Sequence, residues 1–77
     1  MPKLPALKPK EVLRALAGAG FYVHHQRGSH IQLKHFVKSL RVTVQFHSNF
    51  DLPPEIIQSI LKQADLSRED FLKLLKG

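Results

Sequence analysis

The sequence predicts an α+β fold in the order α-β-β-β-α-α, with helices covering one face of a three-stranded antiparallel sheet. Apolar residues recur at helical spacing between 9 and 18 and again between 53 and 75. Between these segments, residues 21–46 alternate apolar and polar side chains, the period of a strand with one buried face. The 77 residues are enough for one small domain. We expect that domain at 9–76, after a flexible N-terminal arm at 1–8.

The first helix is expected to begin at Pro9, because the fixed φ and missing N–H of proline suit the first helical position. Gly18 and Gly20 end it. Its apolar face consists of Val12, Leu13, Leu16 and Ala17. Three strands follow at 21–26, 30–34 and 41–46, with a glycine turn at 27–29 and a loop at 36–40.

The last third of the chain is predicted to form two helices. Pro53 or Pro54 opens the first of them, and Asp65-Leu66 ends it. Its core-facing stripe consists of Ile56, Ile57, Ile60, Leu61 and Ala64. Ser67, three residues before Asp70, is placed to cap the short final helix, whose apolar residues are Phe71, Leu74 and Leu75. A DNA-binding helix-turn-helix over 53–75 is disfavoured, since a helix that lies between phosphates should be basic and this segment is not.

Composition argues against several classes of protein. With no Cys, the chain can form neither a disulfide framework nor a zinc ribbon, and it has no thiol nucleophile. No apolar run approaches the ~20 residues that span a bilayer, and the first ten residues lack the apolar stretch of a secretion signal. We therefore expect a cytoplasmic protein without membrane contact. A zinc site built from His alone is not expected, and neither is any cofactor.

The net charge of +6 is concentrated in the first two-thirds of the chain. Residues 1–50 hold eight Lys and Arg against one acid, a net +7, whereas residues 51–77 hold four against five, a net −1. All five His lie between residues 24 and 47. A polyanion such as RNA would therefore bind the segment that forms the sheet. The alternative is a basic surface that serves only solubility.

Alternation along the strands divides the sheet into a face covered by helices and an open face. The covered face is expected to contain Phe21, Val23, Ile31, Leu33, Val42, Val44 and Phe46. The open face is expected to contain Tyr22, His24, Gln26, His30, Gln32, Lys34, Arg41, Thr43 and Gln45. His24 and His25 should then point to opposite faces, with His25 partly covered at the sheet edge. Such an open face suits an extended, charged ligand.

The turn Gly28-Ser29-His30 is the strongest candidate for a catalytic site. An imidazole exchanges protons near neutral pH, and a glycine beside it leaves room for a substrate backbone. Because RNA carries its own nucleophile, the 2′-hydroxyl, a base and a nearby cation suffice for slow transesterification without a metal. His30 is the candidate general acid/base. The candidate phosphate-binding groups are Arg27, Ser29, Lys34 and Arg41.

His47, just past the third strand, is the second candidate. It either assists His30 from the sheet edge or only caps a loop. His30 and His35 are an odd number of residues apart and should diverge. An ordinary hairpin with an exposed His30 is the alternative interpretation of the whole turn.

Short segments along the chain also match a known family pattern. They are Lys10-Glu11-Val12-Leu13, Gly20-Phe21, Gln26-Arg27-Gly28-Ser29-His30, Arg41-Val42-Thr43-Val44, Phe46-His47, Leu52-Pro53, Ser59-Ile60-Leu61-Lys62-Gln63-Ala64 and Leu66-Ser67-Arg68-Glu69-Asp70-Phe71. In this order they resemble the HicA (YcfA-like) family, small toxins of bacterial and archaeal toxin–antitoxin modules. The resemblance extends over roughly 9–72, and the Gly-Ser-His turn is its most specific part.

The resemblance implies a fold like the double-stranded-RNA-binding domain, with ribonuclease activity on mRNA. It places the family's catalytic His on His30 and implies neutralisation by a HicB-type antitoxin. We therefore expect a type II toxin, a metal-independent endoribonuclease that is monomeric when free and hetero-oligomeric with its antitoxin. RNA contacts are expected at Arg27, Gly28, Ser29, Lys34 and Arg41. The alternatives are a non-catalytic RNA-binding module of the same fold and an interaction domain whose only partner is a protein.

Three segments depart from the family pattern. Gln45 stands where members usually have Pro, and the loop at 36–40 stands where they have a short Asp-Gly turn. Glu55-Ile56-Ile57 replaces the usual Gly-Thr-Leu after the proline. We expect the longer, more apolar loop to affect antitoxin contacts more than the catalytic turn.

Overall fold

The computed structural model describes residues 4–46 and 50–76. It contains helix α1 (Pro9–Gly18), strands β1 (Phe21–Arg27), β2 (His30–His35) and β3 (Arg41–Gln45), and helices α2 (Pro54–Ala64) and α3 (Arg68–Lys76). The strands form one antiparallel sheet in the order β1-β2-β3. The predicted α+β fold and its element order are confirmed.

Helices α1 and α2 pack on the same face of the sheet, and α3 packs on α1. The core between these layers is apolar: among the described residues, no polar or charged residue is buried. Its largest fully buried side chains are Phe71, Leu16, Leu33, Ile57, Ile60, Val12, Val42 and Val44. One layer of helix on one face of a sheet leaves the other face to solvent, as the alternation of β2 and β3 requires.

Helix α1 begins at Pro9, as predicted. Its fully buried face includes Ala15 instead of the predicted Ala17, which is exposed. The reason is geometric: residues three and four positions after Val12 share its side of the helix, and Ala17 lies five positions after it.

Helix α2 begins at Pro54, with Pro53 as its N-cap, and ends where Asp65 takes a left-handed conformation at φ 56°. The prediction that Ile56 faces the core is wrong, since its side chain is 45 % exposed. Ile56 stands about 100° from Ile57 around the helix, which places it outside the stripe that contacts the sheet. The predicted cap of α3 is confirmed by a hydrogen bond of 3.1 Å from the Asp70 N–H to Ser67 Oγ.

The segment before α1 is tied to the domain. Leu4 is buried in the core. Leu7 pairs with Leu52 through two backbone hydrogen bonds, Leu7 N to Leu52 O at 3.1 Å and Leu52 N to Leu7 O at 2.7 Å. Leu4 and Leu7 thus pack against the core, whereas Pro5, Ala6 and Lys8 are exposed. The division into an arm at 1–8 and a domain at 9–76 stays a prediction.

Strand β1 contains a bulge at His24 that changes which residues lie on which face. Val23 pairs with Leu33 and His25 pairs with Gln32, so His24 is the extra residue. One extra residue reverses the alternation beyond it. His25 is therefore aligned with the open face and exposed, and the prediction of a partly covered His25 is wrong.

Two more predictions for β1 fail for related reasons. Gln26 pairs with buried Ile31, so it belongs to the covered face and not to the open one. Val23 shares the face of Leu33 but is 52 % exposed, because β1 is an edge strand and the helices do not cover it at that point.

Candidate functional site

The candidate site is built on the tight turn between β1 and β2. Arg27 pairs with His30 across a two-residue loop in which Gly28 has φ 59° and Ser29 has no positive φ. This is the pattern of a type II′ hairpin turn, whose first position favours glycine. A Cβ at Gly28 would meet nothing within 4 Å, so the backbone conformation, and not crowding within the chain, requires glycine. Ser29 O accepts a hydrogen bond of 2.6 Å from Phe46 N, which ties the turn to the end of β3.

His30 lies exposed on the open face, in one cross-strand row between Arg27 and Gln45. Gln45 Nε2 lies 3.3 Å from His30 Nε2. Because an amide nitrogen only donates, His30 Nε2 accepts this bond and the proton of the neutral ring is on Nδ1. Nε2 is then the atom available to act as a base. Sequence reasoning placed Gln45 on the open face but did not identify its contact with the imidazole.

The predicted phosphate-binding cations fall into two groups. Arg27 lies beside His30, whereas Lys34 and Arg41 pair with each other across β2 and β3. Lys34 is four residues from His30, about 13 Å along a strand. Lys34 and Arg41 instead line a surface depression of ≈ 210 Å³ together with His24. The structure therefore does not bring all three cations to the phosphate that would react at His30.

The two faces of β2 separate His30 from His35, as predicted. His35 is partly buried, with its ring edge against Phe21 at a centroid distance of 5.0 Å. Its Nδ1 accepts hydrogen bonds of 3.0 Å from the N–H groups of Val37 and Lys38. Its Nε2 therefore carries the proton of the neutral ring and donates to Ala19 O at 2.9 Å. His35 holds the β2–β3 loop and contributes nothing to the open face.

The strands are basic and contain no carboxylate. Arg27, Lys34 and Arg41 and four of the five His lie on β1, β2 and β3, which include no Asp or Glu. Within 4–46 and 50–76, no three His, Cys, Asp or Glu are grouped so that they could hold a metal ion. His47 lies outside the described residues, and its assisting role stays a prediction. None of the helices in the described ranges has the length and hydrophobicity that crossing a bilayer requires.

Comparison with known proteins identifies the family. No curated protein matches the chain. A family model described as the HicA toxin of bacterial toxin–antitoxin systems matches residues 9–66. That match runs from the first residue of α1 through the end of α2, and it includes the whole sheet and the turn that presents His30. It covers more than half of the sequence, and the chain belongs to the HicA toxin family of bacterial toxin–antitoxin systems.

Proposed function

We propose that this toxin is an endoribonuclease that cleaves mRNA with His30 as its general acid/base. The supporting observation is the position of His30: exposed at the end of a tight turn, beside Arg27, on a sheet whose strands contain no acid. Family membership supports the toxin role and implies an antitoxin as partner. We propose a HicB-type protein as that antitoxin.

In the proposed reaction, His30 Nε2 takes the proton of a ribose 2′-hydroxyl. The substrate hydroxyl replaces the Gln45 amide at this atom. The 2′-oxygen forms a bond to the adjacent phosphorus while the bond to the 5′-oxygen breaks, and the leaving oxygen takes a proton from the imidazolium or from water. The products are a 2′,3′-cyclic phosphate and a 5′-hydroxyl end. Arg27, across the strand pair from His30, binds the phosphate and stabilises its developing charge.

The test compares His30→Ala with the wild type, using cleavage of an unpaired RNA in vitro and growth arrest on expression. We expect cleavage to fall by about 10²- to 10⁴-fold, the usual contribution of a general acid/base. His25→Ala is the matched control, because His25 is also an exposed histidine of the open face but is not adjacent to the turn. Equal RNA decay and equal growth arrest in wild type and His30→Ala would refute the proposal.

The nucleophile is tested separately. A substrate with a single 2′-deoxyribose at the cleaved position should resist cleavage there, because it lacks the hydroxyl that attacks. Cleavage of this substrate at the same position would show that water is the nucleophile and that the proposed mechanism is wrong.

A non-catalytic RNA-binding role is the second candidate. One observation favours it: the strands contain no carboxylate that could orient the His30 ring, and the side chain that contacts this imidazole is the amide of Gln45. Under this alternative, neither wild type nor His30→Ala cleaves RNA, and the two bind it with almost equal affinity. An interaction domain with a protein as its only partner would instead show RNA binding that is insensitive to salt between ~50 and ~200 mM, a range in which phosphate contacts weaken steeply.

The antitoxin is tested by co-expression. Growth arrest should be relieved when the product of the adjacent gene is produced together with the toxin. A stand-alone gene whose arrest no neighbouring product relieves would count against the proposed HicB-type partner.

A further inference from the structure

Two exposed aromatic rings lie together at the end of the open face that is far from His30. Phe36 directly follows β2 and continues the even-numbered residues that point to the open face. Its ring contacts that of Tyr22, with centroids 4.6 Å apart and planes tilted by 35°. Phe36 is 73 % and Tyr22 is 38 % exposed. A large aromatic surface is thus left to solvent on an otherwise polar face.

The backbone around this pair is fixed by hydrogen bonds. Phe36 N donates to Gly20 O at 3.0 Å, which extends the pairing of β1 with β2. The next two N–H groups, of Val37 and Lys38, both donate to His35 Nδ1. The backbone that carries Phe36 is therefore fixed by hydrogen bonds before any ligand binds, which lowers the ordering cost of binding.

Cations lie directly beside the aromatic pair. Tyr22 is paired with Lys34, and Lys34 is paired with Arg41, so an aromatic ring and two cations form one cross-strand row. His24 lies with Lys34 and Arg41 around the depression of ≈ 210 Å³. Like charges directly opposite each other on a sheet destabilise it, and no acid on the strands offsets this repulsion. An anion bound between Lys34 and Arg41 would offset it.

We propose that this end of the open face is a second nucleotide-binding subsite, specific for unpaired RNA. A base stacks on the Tyr22–Phe36 pair, and the adjoining phosphate binds the depression lined by His24, Lys34 and Arg41. The inference rests on the proposed function, because it extends the RNA substrate beyond the nucleotides at His30. Bases in a duplex are already stacked and hide their faces, so this subsite selects single strands over duplexes.

The spacing of the two ends sets a minimum length for the substrate. Phe36 is six residues from His30, about 20 Å along the strand direction. One RNA strand that reaches both ends must therefore span several nucleotides between the reacting phosphate and the stacked base. Short oligonucleotides that reach only the His30 end should make no contact with the aromatic pair.

The experiment measures binding of a fluorescently labelled, unpaired RNA of ten nucleotides by anisotropy, in the non-cleaving His30→Ala protein. Removing the ring with Phe36→Ala should weaken binding by about 5- to 150-fold, the range for loss of one stacked base. Phe36→Leu should weaken it comparably, since leucine retains apolar bulk but not a ring, and Phe36→Tyr should retain the affinity. Val37→Ala is the matched control: its side chain is 88 % exposed next to Phe36 and is not part of the subsite.

Two further measurements separate stacking from charge. A duplex of the same sequence should bind the Phe36→Ala protein as it binds the parent. The double substitution Lys34→Ala and Arg41→Ala should reduce the slope of log affinity against log salt by about 0.7, the value for one phosphate contact to a single strand. The Phe36 variants should leave that slope unchanged. Circular dichroism confirms that each variant is folded.

The subsite proposal is overturned if Phe36→Ala binds the unpaired RNA within twofold of the parent, or if Phe36→Leu binds as the parent does. It is also overturned if Phe36→Ala and Val37→Ala both weaken antitoxin binding while RNA binding is unchanged, which would assign this surface to the protein partner. The outcome is independent of catalysis, since every binding measurement uses the His30→Ala protein. Wild-type protein that cleaves no RNA would refute the proposed reaction and leave the subsite result standing.

Discussion

Gly20 and His35 are predicted to be energetically coupled through one contact. Gly20 has φ 99°, and a Cβ built on it would lie 2.7 Å from His35 Nε2, the atom that donates to Ala19 O. Gly20→Ala therefore has two effects. It forces an L side chain into a left-handed conformation, and it pushes the imidazole away from its hydrogen-bond partner.

The cost of losing His35 follows from its contacts. The part-buried bond to Ala19 O contributes about 1 kcal/mol, and the two exposed bonds from Val37 and Lys38 contribute about 1 kcal/mol together. The edge contact with Phe21 adds about 1 kcal/mol. His35→Ala should therefore lower the free energy of unfolding by about 3 kcal/mol.

The cost of Gly20→Ala depends on whether the imidazole is present. The backbone conformation alone should cost about 2 kcal/mol. With His35 in place, displacement of the ring should add about 2 kcal/mol, because most of its hydrogen bonding is then lost. In the His35→Ala protein the obstruction is gone, and Gly20→Ala should cost only the backbone component. The double variant should thus be about 2 kcal/mol more stable than the sum of the single losses predicts.

The assay is urea unfolding followed by circular dichroism for the four proteins of the cycle. A domain of this size has about 4–11 kcal/mol of stability, so all four are measured at one fixed concentration of a stabilising osmolyte. Gly18→Ala is the control: a Cβ there would meet the end of the Leu74 side chain at 3.2 Å and not His35, so its effect should add to that of His35→Ala. The predicted coupling is refuted if the losses of unfolding free energy in Gly20→Ala and His35→Ala add within about 0.5 kcal/mol. Position 20 and the His35 ring would then affect stability independently.

Two further predictions concern the turn that precedes His30 and the neighbouring residue Gln45. Gly28→Ala should lower the free energy of unfolding by about 1–2 kcal/mol through the positive φ alone, because a Cβ there meets nothing within 4 Å. Urea unfolding that shows a loss as large as that of Gly20→Ala would contradict this prediction. Gln45→Ala removes the amide 3.3 Å from His30 Nε2, which the substrate hydroxyl has to displace, and should lower KM for RNA cleavage about fivefold with kcat unchanged, the effect of losing about 1 kcal/mol of competing hydrogen bond. An unchanged KM would show that this contact does not compete with the substrate.

The fold was largely predictable because the local patterns are strong. Strict alternation in β2 and β3 correctly assigned which residues face the helices, and Pro9 and Ser67 correctly marked where two helices begin. The assignment failed in β1, since nothing in its sequence distinguishes a bulge at His24 from an ordinary strand residue. A bulge is a property of the pairing between two strands, and alternation within one strand cannot reveal it.

The candidate site was predictable in part. His30 on the open face next to a glycine turn followed from local sequence. Its neighbours did not: the row that joins Arg27, His30 and Gln45 depends on the register of three strands. The same register places Arg41 beside Lys34, away from His30, and divides the predicted cations between the two ends of the face.

The sequence by itself determined the order of elements, the helical and strand periods, the polarity of the β2 and β3 faces and the basic character of the first two-thirds of the chain. These properties depend on near neighbours and on composition, which a single sequence displays. Only the tertiary structure decided the face of His25, the exposure of Val23, the contact of Gln45 with His30 and the pairing of Tyr22 with Phe36. Each of these joins residues from different elements or depends on which edge the helices cover. Their positions are settled when the strands pair and the helices pack, by the sum of interactions over the whole domain.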